Sequence, residues 1–97
     1  MATFIVLFNW TEQGIKNYKD SPSRVDQANE AWHDLGVQIR EVYWTIGPYD
    51  LVGILDAPDP EALASALLRL GALGNVRTTT MRALDRAEAE AVIAKAG

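Results

Sequence analysis

Val42-Tyr43-Trp44-Thr45-Ile46-Gly47-Pro48-Tyr49-Asp50-Leu51-Val52 is the stretch whose reading decides the fold. β-branched and apolar residues flank a tight Gly-Pro turn on both sides, which reads as strand, turn, strand: a β-hairpin whose tip carries aromatics and one carboxylate. Working outward, Val37 to Ile46 forms one arm of the hairpin and Leu51 to Leu55 the other. On the first arm, Val42, Trp44 and Ile46 share a face suited to a helix-covered core, and Glu41, Tyr43 and Thr45 share the opposite face. Gly53 weakens the second arm or admits a close approach by another group.

Before the hairpin, Thr3 to Asn9 is apolar at both odd and even positions, as expected of a central strand covered on both sides. Trp10 to Gly14 turns away from it, and Ile15 to Asp20 fits a loop or a short helical turn equally well. Ser21 then caps a helix whose first residue is Pro22, and Val25, Ala28, Trp32 and Leu35 follow at helical spacing until Gly36 ends it. After the hairpin, Asp59 caps a helix opening at Pro60, with Leu63, Ala66, Leu67 and Leu70 as its apolar stripe and Gly71 to Gly74 as its end. Asn75 to Leu84 alternates as a fourth strand. Asp85 followed by Glu88 is the capping pattern of a last helix carrying Ala89, Val92, Ile93 and Ala96.

The order β-α-β-β-α-β plus a terminal helix predicts an α+β, ferredoxin-like fold, with helices on one face of a four-stranded antiparallel sheet. In that topology, with strands ordered fourth, first, third, second, one end of the sheet collects Asn9, Trp10, Thr11, Thr45, Gly47, Tyr49, Asp50, Asn75 and Arg77. The other face of the sheet is left bare. Since each Å² of apolar surface kept in water costs about 25 cal/mol, a second copy is the expected cover, giving a homodimer or higher homo-oligomer with sheets face to face.

Composition narrows the function classes. Ninety-seven residues, 48% hydrophobic and 23% charged, are expected to form one soluble domain spanning 1–97. No apolar run approaches the ~20 residues of a membrane span, and Met1 to Phe8 reads as a strand and not as a signal, which points to the cytoplasm. Nine Lys/Arg against thirteen Asp/Glu give a net charge of −4 with no basic cluster, so nucleic acid is an unexpected partner. The absence of cysteine removes disulfides, thiolate nucleophiles and thiolate metal sites together. No cofactor or metal site is expected: there is no phosphate loop, no Gly-x-Ser-x-Gly and no second histidine to join His33. His33 lies ~120° from the centre of its helix's apolar stripe, a solvated position that favours a surface role over pH sensing or haem ligation.

The motif residues also carry a resemblance. Asn9-Trp10-Thr11 with Gln13-Gly14, Asp20-Ser21-Pro22 with Arg24, Tyr43-Trp44-Thr45 with Gly47, Tyr49-Asp50, and Gly74-Asn75-Val76-Arg77-Thr78 with Arg82-Ala83 resemble, end to end, the GYD family of small bacterial proteins. That family is named for a Gly-Tyr-Asp motif. Here Pro48 separates Gly47 from Tyr49, so Tyr49-Asp50 is the matching pair. The resemblance implies a dimeric α/β barrel and supplies no reaction.

Each candidate residue has two readings. Asp50 either accepts backbone N–H bonds that fix the turn, or serves as a general base with Tyr43 or Tyr49 as the acid. Arg77 either pairs across strands or forks onto a substrate carboxylate. Trp32 and Trp44 fall on core stripes, whereas Trp10 leaves its strand at the chemically busy end. The leading expectation is a small-molecule binding protein with one site per subunit, between sheet and helices or sheet and sheet, in which Asn9, Trp10, Tyr43, Thr45, Tyr49, Asp50 and Arg77 contact an aromatic or carboxylated organic ligand. Its rivals are a cofactor-independent isomerase or oxygenase-like enzyme using Asp50 and a tyrosine, and an assembly module without ligand.

Overall fold

A four-stranded, wholly antiparallel sheet organises the chain, whose computed structural model describes residues 1–97. Strands β1 (Ala2–Trp10), β2 (Gln38–Trp44), β3 (Leu51–Ala57) and β4 (Val76–Ala83) lie in the order β2-β3-β1-β4. Four α-helices accompany them: α1 (Glu12–Lys16), α2 (Ser21–Ala31), α3 (Pro60–Ala72) and α4 (Arg86–Ala96). This is the ferredoxin-like α+β arrangement, with both of its βαβ connections completed by helices on the same face.

Alternation along β1 and β3 sorts the two faces. Phe4, Val6 and Phe8 with Leu51, Leu55 and Ala57 point to the helices and are buried against Trp32, Leu63 and Ala66. Full burial of side chains such as Val6 and Leu55, both 0% exposed, contributes about 1.5–3 kcal/mol each. Gly53 sits on this face because Phe8 lies over it: a Cβ there would come 3.2 Å from the Phe8 ring and 2.8 Å from Leu55 Cδ1. The opposite face carries Ile5, Leu7, Val52, Ile54 and Met81 at its centre, in register across the strands, and no element of the chain covers it.

Caps set most helix boundaries. Asp59 accepts from Ala62 N–H at 2.8 Å with Pro60 in the first turn of α3, and Asp85 and Glu88 form a reciprocal capping box at the start of α4. The first long helix differs from its sequence pattern. Ser21 lies inside α2, and its hydroxyl accepts a hydrogen bond from Trp44 Nε1–H at 3.0 Å instead of capping. The helix stops at Ala31, tightens into a 3₁₀ turn at His33–Leu35, and leaves through Gly36 at φ 71°, which favours glycine. His33 is exposed.

The second strand also departs from expectation. A bulge at Arg40 breaks the register with β3 between Ile39 and Glu41, and the strand ends at Trp44. Trp44 is consequently 45% exposed at the sheet's edge and Ile46 fully exposed in the turn, so neither joins the core that alternation assigned them. Of the two tryptophans expected in the core, only Trp32 is there, at 2% exposure.

Candidate functional site at the hairpin end of the sheet

Two loops meet at the end of β1, and both are bolted to it. The hairpin loop between β2 and β3 is held by Asp50: its N–H donates to Phe8 O and its carboxylate Oδ2 accepts from Trp10 N–H, each at 2.8 Å. Asn9 adds a third tie, Nδ2–H to Pro48 O at 2.7 Å, and Thr45 closes the loop on itself through Oγ1–H to Tyr49 O and N–H to Asp50 O. The loop between α3 and β4 is held by Thr11, whose N–H donates to Asn75 O and whose hydroxyl donates to Gly74 O at 2.6 Å. Gln13 Nε2–H donates to Leu73 O and Asn75 Oδ1.

Helix α1 grows out of the same brace. Thr11 Oγ1 accepts from Gly14 N–H, an N-cap with Glu12 in the first turn, so the stretch that reads in the sequence as a turn starts a short helix instead. Gly14 lies against the Asn75 carbonyl oxygen so closely that a Cβ would overlap it. Arg24 on α2 donates to Asn17 O and Gly14 O, tying α2 to the brace. The end of the sheet is therefore cross-linked by side-chain-to-backbone bonds between residues some 40 to 60 positions apart.

The expected site residues separate into three groups. Asn9, Thr45 and Asp50, with Tyr49 through its carbonyl, are joined in the brace, and their polar atoms hold the loop. Asn9 and Arg77 are register partners across β1 and β4 on the uncovered face. Tyr43 sits elsewhere on that face, 57% exposed, and its hydroxyl donates to Glu41 at 3.1 Å; this hydrogen bond to a carboxylate raises the phenol above its ordinary pKa. No hydrogen bond links Tyr43 or Tyr49 hydroxyl to Asp50. Trp10 faces the helices, and its indole N–H is enclosed without an acceptor.

An apolar hollow lies away from most of these residues. A groove of about 450 Å³ runs between α2, α3 and the sheet, floored by Phe8, Trp32, Val42 and Leu51 and bordered by Trp10 and Leu70, with Arg24 and Arg69 at its margins. Arg69 is engaged in a two-pronged pair with Asp34, both contacts 3.0 Å, which lowers the Asp34 carboxyl below its ordinary pKa. Of the residues the sequence assigned to a ligand site, only Trp10 borders this groove, since nothing in the periodicity of α2 or α3 says how far apart the helices stand. No helix of the chain is long and apolar enough to cross a membrane.

A ferredoxin-like unit with one bare sheet face, its loops braced to the end of β1, is the class that this architecture defines. Within that class the chain belongs to the GYD domain family, whose sequence model matches residues 4–93. About half of the residues that carry the family resemblance build the brace, among them Asn9, Thr11, Thr45, Asp50 and Asn75. The chain is 37% identical over 89 residues, 91% of its own length and 94% of the relative's, to a Thermus thermophilus protein named glutamine synthetase and cystathionine beta-lyase binding protein. Among solved structures it is similar to TTHA0845 from Thermus thermophilus, at 32% identity and a TM-score of 0.56, covering 88% of this chain and 95% of that one. MtbAldR shares the fold at a TM-score of 0.70 with 17% identity, over 88% of this chain and 52% of the other.

Proposed function

We propose that this chain is a non-catalytic binding protein that pairs with a second copy through its open sheet face and, as a homodimer, holds other proteins. The observation that carries the reading is the composition of that face. Ile5, Leu7, Val52, Ile54 and Met81 form an apolar centre, rimmed at one end by Asn9, Arg77 and Tyr43 and at the other by Thr3, Asp56 and Arg40. An apolar centre inside a polar rim is the anatomy of a protein interface.

Catalysis is disfavoured by how the one candidate base is employed, because the Asp50 carboxylate is already committed to Trp10 N–H. The relative's name supports protein partners, and metabolic enzymes of the kind it names are the partners to try first. The test is binding of the purified chain to purified glutamine synthetase and cystathionine beta-lyase from the same source, read by biolayer interferometry. Saturable binding of either enzyme is the expected result; no binding to either in the micromolar range overturns the proposed partners.

The α2/α3 groove favours a second reading, in which the chain holds a small ligand. Its apolar, aromatic floor with Arg24, whose guanidinium contacts only backbone carbonyls, at the margin suits an aromatic carboxylate, and an oxygen entering beside Trp10 would satisfy the indole N–H. Titration with benzoate and larger aromatic carboxylates, followed by tryptophan fluorescence, should show saturable quenching; an unchanged spectrum removes this reading.

A further inference from the structure

Charge in the α2/α3 groove runs against that of the chain as a whole. No Asp or Glu lines it, in a sequence that has thirteen of them and a net charge of −4. Its two arginines are differently engaged. Arg69 is paired with Asp34. Arg24, half-buried on α2, has no carboxylate partner: its guanidinium donates only to the Asn17 and Gly14 carbonyls, which take up fewer donors than it offers.

Other unsatisfied donors gather at the same end of the groove. The Trp10 indole N–H is enclosed without an acceptor, a cost that a bound oxygen would relieve. Asn75 accepts from Gln13 at Oδ1, which leaves its Nδ2 hydrogens as donors. The brace is what makes these groups neighbours. Arg24 reaches Gly14 O at 3.4 Å, Gly14 lies against the Asn75 carbonyl, and that carbonyl accepts from Thr11 N–H, next in the chain to Trp10. Trp10 is itself pinned, backbone N–H to Asp50 carboxylate, at 2.8 Å. Beyond this end the floor is hydrocarbon, formed by Phe8, Trp32, Val42 and Leu51. Donors lacking acceptors at one end of an apolar groove orient an amphipathic anion.

We propose that the ligand's carboxylate seats at this end, on the Trp10 indole N–H and the Arg24 guanidinium, with its aromatic body along the floor, and that Asp50 is a positioning residue for it, acting through Trp10. The inference rests on the small-ligand reading above. Asp50 does not touch the ligand. Its bond to the Trp10 backbone fixes the strand end from which the indole projects, so holding the indole through a ligand and holding the hairpin loop through Asp50 favour each other reciprocally. A carboxamide of the same shape also offers an oxygen to the indole, but its second polar group is a donor set against donors.

The test begins with the unmodified chain. Calorimetric titration with 2-naphthoate and 2-naphthamide compares a charged with an uncharged head on one ring, and the acid should bind about tenfold tighter, the share of one charge-assisted hydrogen bond. Hydrogen exchange followed by NMR, with and without saturating 2-naphthoate, reads the linkage. The Trp10, Thr45 and Asp50 amides should slow selectively, relative to the Ala62 and Glu88 amides that side chains cap at the other end of the sheet. Arg24→Gln should erase the preference for the acid while 2-naphthamide still binds. Asp50→Ala should weaken 2-naphthoate about fivefold, and Asp50→Asn, which keeps an oxygen, should restore it.

Equal affinity for acid and amide, or an acid preference that survives Arg24→Gln, overturns the carboxylate seat and leaves the groove reading standing. Uniform slowing at both ends of the sheet, or unchanged affinity in Asp50→Ala, overturns the role of Asp50. Failure of both probes to bind at millimolar concentration removes the groove reading, and this inference with it.

Discussion

The Asp50 carboxylate accepts the Trp10 backbone N–H at 2.8 Å, across 40 positions of sequence, while the Asp50 N–H donates to Phe8 O, two residues earlier on the same strand. One residue of the hairpin thus completes the backbone pairing of β1 beyond the point where β3 begins. The aspartate most easily taken for a catalytic base acts here as the pin that sets the height of the hairpin loop over the sheet.

Replacing Asp50 by Ala should therefore destabilise the fold, by about 1–3 kcal/mol, since the part-buried Trp10 N–H loses its acceptor. Asp50→Asn keeps an oxygen in reach and should lose less than half as much. Urea unfolding midpoints of the two variants test this. Equal losses would show that the acceptor is not what Asp50 contributes.

Gly14 and Gly71 should respond in opposite directions to alanine. At Gly14 the new Cβ overlaps the Asn75 carbonyl, a backbone atom that cannot swing aside, so Gly14→Ala should cost at least about 2 kcal/mol. At Gly71, near the end of α3 and facing open space, the same change should stabilise by about 0.5 kcal/mol through helix propensity. Thermal unfolding of both variants reads the contrast.

A charge at the centre of the bare sheet face should act on association and not on folding. Ile54→Lys places an ammonium between Glu41 and Ile5, its neighbours in register, where a paired sheet would have to desolvate it. The dissociation constant of the proposed homodimer, measured by analytical ultracentrifugation, should rise at least tenfold, with the far-UV spectrum of the chain unchanged. An unaltered constant would place the dimer contact on some other face.

Acid should loosen α4 before the sheet. The Glu88 carboxylate accepts from Asp85 N–H and pairs with Arg82, and both hold its pKa below the ordinary 4.5, with the backbone bond the larger cause. A carboxyl depressed in the folded state stabilises it fully above the unfolded value, and that stabilisation is lost as pH falls from 4.5 through the lowered folded value. Helical ellipticity should fall over this window while strand signals persist. Glu88→Gln, which keeps an acceptor without a charge, should flatten that pH dependence; a variant with the same acid transition would assign the effect to other carboxyls.

Much of the architecture was legible locally. Asp59 before Pro60, and Asp85 with Glu88, announce two helix starts because a cap needs only residues three apart. The apolar alternation of Phe4, Val6 and Phe8 marks the core face of β1 for a similar reason. Trp44 was misleading. Its alternation with Val42 is real, but the strand ends there and the side chain lies at the sheet's edge on Ser21, a position fixed by where α2 begins and not by anything next to it in sequence.

The sequence by itself determined the order of strands and helices, the helix caps, the buried stripe of β1 and the family to which the chain belongs, because each is written in spacings of two to four residues or in motifs read along the chain. Only the tertiary structure decided that Asp50 is spent on Trp10, that Gly14 is wedged against Asn75, that a groove separates α2 from α3, and that α4 stands clear of its own sheet. Those facts depend on groups far apart in the chain coming within hydrogen-bonding or van der Waals distance, or failing to. Local periodicity carries no information about either outcome.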